Sequence, residues 1–315
     1  YDNIDGGLDA DIAIFAGTQS DYTFASSYDG LTVTVTDVAT GDADTVKNVE
    51  TLRFDDGDIT VSHDGTRLVL TGTDAVTDDI KVVGTVAVKV KGVGGDDIIT
   101  GGEGADTLLG AGGADVIDGD LGADTIDGDT GSDTLYGRGG DDTIEGGADA
   151  DTITGGLGSD TITGGSDSAI DVAVFAGNQV DYTFKSSADG LTITVTHVST
   201  NDTDTVKEFE TLRFDDGDIE VSHDGNNLVL SGSGNADNIN VVGSVPVTIK
   251  GAGGADRIAG GSGDDTLTGS DGNDVMDGNF GADTLYGGTG ADVIDGGAGD
   301  DTIEGSSGAD VITGG

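Results

Sequence analysis

Aspartate recurs every nine residues through two long stretches, always two positions before a large aliphatic and at fixed offsets from glycine. Set in rows of nine from Gly92, the chain reads GVGGDDIIT, GGEGADTLL, GAGGADVID, GDLGADTID, GDTGSDTLY, GRGGDDTIE, GGADADTIT and GGLGSDTIT. Seven more rows fill residues 251–313, from GAGGADRIA to GSSGADVIT. Position 1 is Gly and position 6 is Asp in all fifteen rows; position 8 is always Ile, Leu or Met. Position 4 is Gly in fourteen, with Asp149 the exception. The position-6 residues are Asp97, Asp106, Asp115, Asp124, Asp133, Asp142, Asp151 and Asp160, then Asp256, Asp265, Asp274, Asp283, Asp292, Asp301 and Asp310. Short-armed carboxylates delivered from glycine-rich turns are hard oxygen donors. A cage of six to eight such oxygens, carboxylate and carbonyl together, favours Ca²⁺ over Mg²⁺.

The elements that must present these carboxylates follow from the same rows. Gly at positions 1 and 4 is expected to supply φ > 0 and close backbone approach, so that six residues turn tightly. The remaining x-U-x makes a short strand with one inward aliphatic, and Ile117, Ile126, Leu135 and Ile144 are expected to stack as one internal ladder. A single row buries one side chain and cannot fold alone, so the rows must stack as a solenoid. Stacking places like carboxylates about 4.8 Å apart, where two unit charges repel by about 3.5 kcal/mol at an effective dielectric of 20. Burial of one Ile or Leu contributes about 1.5–3 kcal/mol, so the arrays are expected to be disordered without cations. At Asp149 the residue type tolerates αL, which predicts a weakened site there rather than a lost one.

Rows of the form GGxGxDxUx resemble the RTX (repeats-in-toxin) family of calcium-binding β-rolls. The resemblance spans 135 residues in uninterrupted register. It implies an all-β fold of parallel β-roll arrays, with multiple Ca²⁺ ions held between the turns of alternate rows by the position-6 Asp of both. It also implies export from Gram-negative bacteria by type I secretion, unfolded, with folding on contact with external calcium.

Composition narrows the rest. The 315-residue chain carries 61 acidic and 12 basic residues, a formal charge of −49, and 54 of the acids are Asp. A surface this negative repels phosphate, which disfavours nucleic acid, so no nucleic-acid partner is expected, and it disfavours anionic membranes for the same reason. No apolar run approaches the ~18 residues of a membrane span. With no Cys, disulfides and thiolate metal sites are impossible.

A second repeat operates at larger scale. Residues 11–70 match residues 171–230 at 44 of 60 positions, including DYTF, DTVK and ETLRFDDGDI. The expected organisation is the end of a preceding array (1–11), a β-rich cap segment (12–91), eight nonapeptides (92–165), a second cap segment (166–250) and seven nonapeptides (251–315). Tyr1–Asp5 fits positions 5 to 9 of an earlier row, and Gly314-Gly315 positions 1 and 2 of a later one, as in an excerpt of a longer array. In the caps, Asp29-Gly30 before the alternating Leu31–Thr36 predicts a hairpin, and Leu52-Arg53-Phe54 with Ile59–Val61 a second. Val82-Val83 and Val86–Val90 read as strands leading into the array, and residues 232–240 as a degenerate row. Three further readings are open in the caps. Thr32, Thr34 and Thr36 suit ice or glycan binding or plain strand surface; His63 and His223 suit zinc or catalysis or a turn; Asp55-Asp56-Gly57-Asp58 suits an added calcium site or an acidic turn.

No HExxH, G-x-S-x-G or phosphate-loop motif is present, and a non-enzyme is expected. The tandem cap–array unit points to an extracellular, cell-surface structural protein such as a surface layer, filament or adhesin stalk, with calcium and further copies of itself as partners. The alternative is a C-terminal accessory domain of a type I-secreted enzyme or toxin.

Overall fold

The computed structural model describes every residue except Thr66, Ala75 and Asn226. Two compact units divide the chain, Tyr1–Ala169 and Ile170–Gly315. Both are almost wholly β. The helical segments among the described residues are single 3₁₀ turns, Gln19–Asp21 and Gln179–Asp181.

In the first unit, Val88–Lys91, Thr107–Gly112, Thr125–Thr130, Thr143–Ala148 and Thr161–Thr163 form one parallel sheet. A second parallel sheet comprises Asp79–Lys81, Ile98–Gly102, Val116–Asp120, Thr134–Gly139 and Thr152–Leu157. Successive nonapeptides therefore alternate between sheets, and each row is half a coil. The single aliphatic ladder expected from the sequence is in fact two: Ile117 pairs with Leu135 in one sheet, Ile126 with Ile144 in the other. The reason is geometric, because a nine-residue row returns the chain to the opposite sheet and only an eighteen-residue step brings it back. Position-8 side chains from Ile99 to Ile162 are buried and fill the core. The second unit repeats this with Val247–Gly253, Thr266–Asp271, Thr284–Thr289 and Thr302–Ser307 in one sheet. Its other sheet holds Asn238–Asn240, Arg257–Gly261, Val275–Asn279, Val293–Asp295 and Val311–Thr313.

The strands are longer than x-U-x. Thr107–Gly112 buries both Leu108 and Gly110, so position 1 of the next row also faces inward. Positive φ is likewise distributed differently from the expectation. It occurs at position 2 of all fifteen rows, nine of them non-Gly (Ala111 at 82°, Arg138 at 74°), and at position 4 of thirteen, Asp149 included at 76°. Position 1 does not adopt it. Its glycine is required for space: a Cβ there would lie closer than 3.0 Å to Oδ2 of the position-6 Asp of its own row, in every row.

Each cap is a hairpin sheet set on the solenoid. Tyr22–Ser26, Thr32–Asp37 and Ala43–Lys47 are antiparallel, and Asn3–Asp5 adds in parallel to the last. Thr51–Arg53 and Asp58–Asp64 form the second hairpin, continued by Arg67–Thr71, which pairs in parallel with Val88–Lys91. Solenoid pairing thus reaches back to Arg67. The strand before Val82 is Asp79–Lys81, with Val82 itself making a single bridge to Phe24. Phe15, Tyr22, Phe24 and Phe54 pack with ring centroids 5.3–6.0 Å apart, and the Tyr22 hydroxyl donates to the Ala16 carbonyl at 2.6 Å. Phe175, Tyr182, Phe184 and Phe214 reproduce the cluster.

Candidate metal centre

The position-6 aspartates are drawn into ladders by their own backbone. In each coil the position-6 N–H donates to Oδ1 of the position-6 Asp eighteen residues later, because parallel pairing superimposes the two turns. One ladder runs Asp97, Asp115, Asp133, Asp151 and another Asp106, Asp124, Asp142, Asp160, with N···O distances of 2.7–2.9 Å. The second unit holds Asp256, Asp274, Asp292, Asp310 in one and Asp265, Asp283, Asp301 in the other, at 2.7–3.1 Å. All fifteen residues singled out by spacing are thereby brought into four ladders. From Asp97 to Asp160 and from Asp256 to Asp292 they are buried, each at most 2% exposed. Asp301 and Asp310 are partly exposed.

Only one oxygen of each carboxylate is used this way. Oδ2 of Asp97, Asp106, Asp115, Asp124, Asp133 and Asp142 is buried and accepts no hydrogen bond from any described residue. The same holds for Asp256, Asp265, Asp274, Asp283, Asp292 and Asp301. The glycine at position 1 leaves the space beside that oxygen open. A Cβ on Gly92 would strike both Asp97 Oδ2 and the Gly110 carbonyl oxygen, so these two oxygens face one small volume. The same pairing of Oδ2 with a later glycine carbonyl recurs at Gly110, Gly119, Gly128 and Gly137. Among the described residues no three acidic or imidazole side chains converge on one point, so the further oxygens beside Oδ2 are backbone carbonyls.

Without a cation this arrangement is electrostatically unfavourable. Burial, helped by neighbouring carboxylates of the ladder and opposed by the amide at Oδ1, pushes Asp97, Asp133 and Asp142 up to about 7. Burial likewise raises Asp106, Asp124, Asp256 and Asp265 to about 6. Moving a carboxyl from 3.8 to about 7 disfavours the folded state at neutral pH by about 4 kcal/mol. The aliphatic of the same row contributes about 1.5–3 kcal/mol, so in the rows of Asp97, Asp133 and Asp142 charge outweighs burial.

The family model of the RTX calcium-binding nonapeptide repeat (4 copies) matches residues 91–126, 120–153, 127–162, 250–285 and 286–315. The two arrays belong to the RTX family of calcium-binding repeats. No curated protein matches the chain. The donorless Oδ2 atoms named above fit a hard cation by chemistry, since the donor set is all oxygen and half of each of those carboxylates is spare. Bound calcium would supply the positive charge that the ladders lack. This is a protein of calcium-binding RTX repeats carried on a β-solenoid.

The other candidate residues are placed elsewhere. Each carboxylate of the Asp55-Asp56-Gly57-Asp58 turn has its own protein donor: Gly17 N–H to Asp55, Gln19 N–H to Asp56, and the Arg53 guanidinium to Asp58 at 2.7–2.8 Å. These donors clamp the turn. His63 and His223 are exposed on strands beside a hairpin turn, and Thr32, Thr34 and Thr36 are the outward positions of a strand whose Val33 and Val35 are buried. Row spacing left several residues of the RTX solenoid unassigned. Asp237 lies in the degenerate row 232–240, and its N–H donates to Asp256 Oδ1 at 2.9 Å. Asp78 does the same for Asp97 at 2.8 Å. It is hidden in sequence because six residues separate it from Gly72, against five in a regular row. Asp11 occupies position 6 of an overlooked row, residues 6–14, whose position-8 residue is Ala13 and whose position 4 is Asp9 at φ 81°.

Proposed function

We propose that the chain is a calcium-triggered, non-catalytic structural protein of the bacterial cell exterior: a surface layer, filament or adhesin stalk built from repeated cap–array units. The observation that carries this reading is the duplication itself. Two caps with the same aromatic cluster occur 160 residues apart, each followed by an array with the same kind of carboxylate ladder, as expected of a scaffold that gains length by repetition.

The ladders support the export route. In the cytosol, where calcium lies far below the roughly 10⁻⁴–10⁻³ M range of extracellular modules, the chain stays unfolded and passes through a type I secretion channel. Outside, the carboxylates meet enough calcium to fold. Neutralising the ladders also lowers the repulsion from a charge of −49 and lets copies pack side by side.

Far-UV circular dichroism with analytical ultracentrifugation, in EGTA and in millimolar CaCl₂, tests the reading. β signal and multimers that appear only with calcium are expected. Calcium-dependent folding of a strict monomer would favour the accessory domain of a secreted enzyme or toxin. Array folding in EGTA would remove the calcium trigger.

A further inference from the structure

Within each ladder every Oδ1 takes a position-6 N–H from the coil before it, apart from the cap residues that begin it. Asp78 precedes Asp97, yet its Oδ1 accepts from the side-chain amide of Gln19 at 2.7 Å. Oε1 of the same Gln19 accepts the Asp79 N–H at 2.9 Å. The Gln19 amide thus presents a donor and an acceptor to the end of the coil, as a peptide group of a further coil would. Oδ2 of Asp78, the oxygen left without a donor among the described residues at Asp97 and Asp115, takes the Thr73 N–H at 2.6 Å and faces the Thr73 hydroxyl. The second unit repeats each feature. Gln179 donates to Asp237 Oδ1 at 3.0 Å and accepts from Asn238 N–H at 2.7 Å, while Asp237 Oδ2 takes the N–H and hydroxyl of Ser233 at 2.6 and 3.1 Å.

Both glutamines are fully buried. Neither is free to wander, because the Gln19 N–H is held by Asp56 at 3.0 Å and the Gln179 N–H by Asp216 at 2.9 Å. On the N-terminal side of each cap, Asp11 N–H donates to Glu50 at 2.8 Å and Asp171 N–H to Glu210 at 3.0 Å.

From this we infer that Gln19 and Gln179 are positioning residues that end the calcium ladder. With both oxygens of Asp78 and Asp237 satisfied by protein donors, these two carboxylates are metal-free, and cation binding begins at Asp97 and Asp256. Each Gln thus sets where calcium binding begins along the ladder that follows it in its own unit. The inference rests on calcium binding by the arrays and is independent of whether the chain is a scaffold.

The test is the number of calcium ions on the full chain, measured by metal analysis after gel filtration in saturating CaCl₂. A D78N/D237N chain is expected to hold as many ions as wild type, while D115N/D274N holds fewer. Equal loss in both pairs would overturn the assignment. The Q19E/Q179E chain keeps side-chain size and exchanges the donor for an oxygen beside Asp78 and Asp237, so it is expected to gain ions; an unchanged count would remove the role given to Gln. Since the array's own ions hold it together, collapse of array β signal in either cap pair at saturating calcium also counts against the proposal. A wild-type count of zero would instead sink calcium binding itself.

Discussion

Asp78 and Asp97 stand on consecutive coils of one solenoid, both essentially inaccessible to solvent, and they differ at one oxygen. Oδ2 of Asp78 has the Thr73 N–H, whereas Oδ2 of Asp97 has no donor among the described residues. The contrast extends to the regions around them. The caps are closed by aromatic packing, a bidentate Arg53–Asp58 pair and satisfied carboxylates. Rows such as those of Asp97, Asp115 and Asp133 each bury one aliphatic and one carboxylate with a single donor among the described residues. A buried polar atom left without a partner costs about 1–3 kcal/mol, more if charged. The same solenoid geometry therefore yields a self-sufficient region and a conditional one, and the difference lies in who supplies the partner for a single oxygen.

Removing calcium should separate the regions most widely. Hydrogen–deuterium exchange in EGTA is expected to show protection retained in Tyr22–Ser26 and Thr32–Asp37 and lost in Thr107–Gly112 and Thr125–Thr130. Uniform loss would mean that the caps depend on the ions too.

Acid should substitute for the metal. Asp97, Asp133 and Asp142 ionise near 3.8 when unfolded and at about 7 when folded, and Asp106, Asp124, Asp256 and Asp265 at about 6 when folded, so ion-free folding takes up protons. The stability involved is complete below pH 3.8 and is lost as pH rises through 6 to 7. Circular dichroism in metal-free buffer should therefore show array strands at pH 4 and not at pH 8.

Within the cap, Phe24→Ala empties a fully buried site and is expected to destabilise it by about 3–5 kcal/mol, read as a lower thermal midpoint in EGTA with the ion count in calcium unchanged. Neighbouring glycine positions give the smallest and sharpest pair. Gly110→Ala would drive a Cβ into Asp115 Oδ2 and the Gly128 carbonyl, costing about 1–3 kcal/mol and lowering calcium affinity at that turn. Ala111→Gly relieves a φ of 82° and should stabilise the calcium-loaded array by about 1 kcal/mol. Opposite signs at adjacent residues, measured by calcium titration and thermal melting, would separate the need for space from the need for positive φ.

Much of this was legible in the residues. The nine-residue period identified the RTX repeat, the fifteen position-6 carboxylates of the two arrays and the aliphatic core, because each row carries the same local instructions. The cap hairpins were legible too, from Asp29-Gly30 and the alternation of Leu31–Thr36. The coil length was not. Nothing within nine residues says that consecutive rows belong to different sheets, so one expected ladder became two. The purpose of the position-1 glycine was equally hidden, since the atom it makes room for belongs to a side chain five residues on and a carbonyl eighteen residues on.

What the sequence alone determined is the chemistry of the repeat: one carboxylate, one aliphatic and two glycines per row, an all-β solenoid and an excess of negative charge that folding must neutralise. Only the tertiary structure decided which carboxylates keep a spare oxygen. Gln19 and Asp78 lie 59 residues apart and no local pattern joins them. They meet because the cap folds back over the first coil, and a hydrogen bond made by such long-range packing has no signature in either segment on its own.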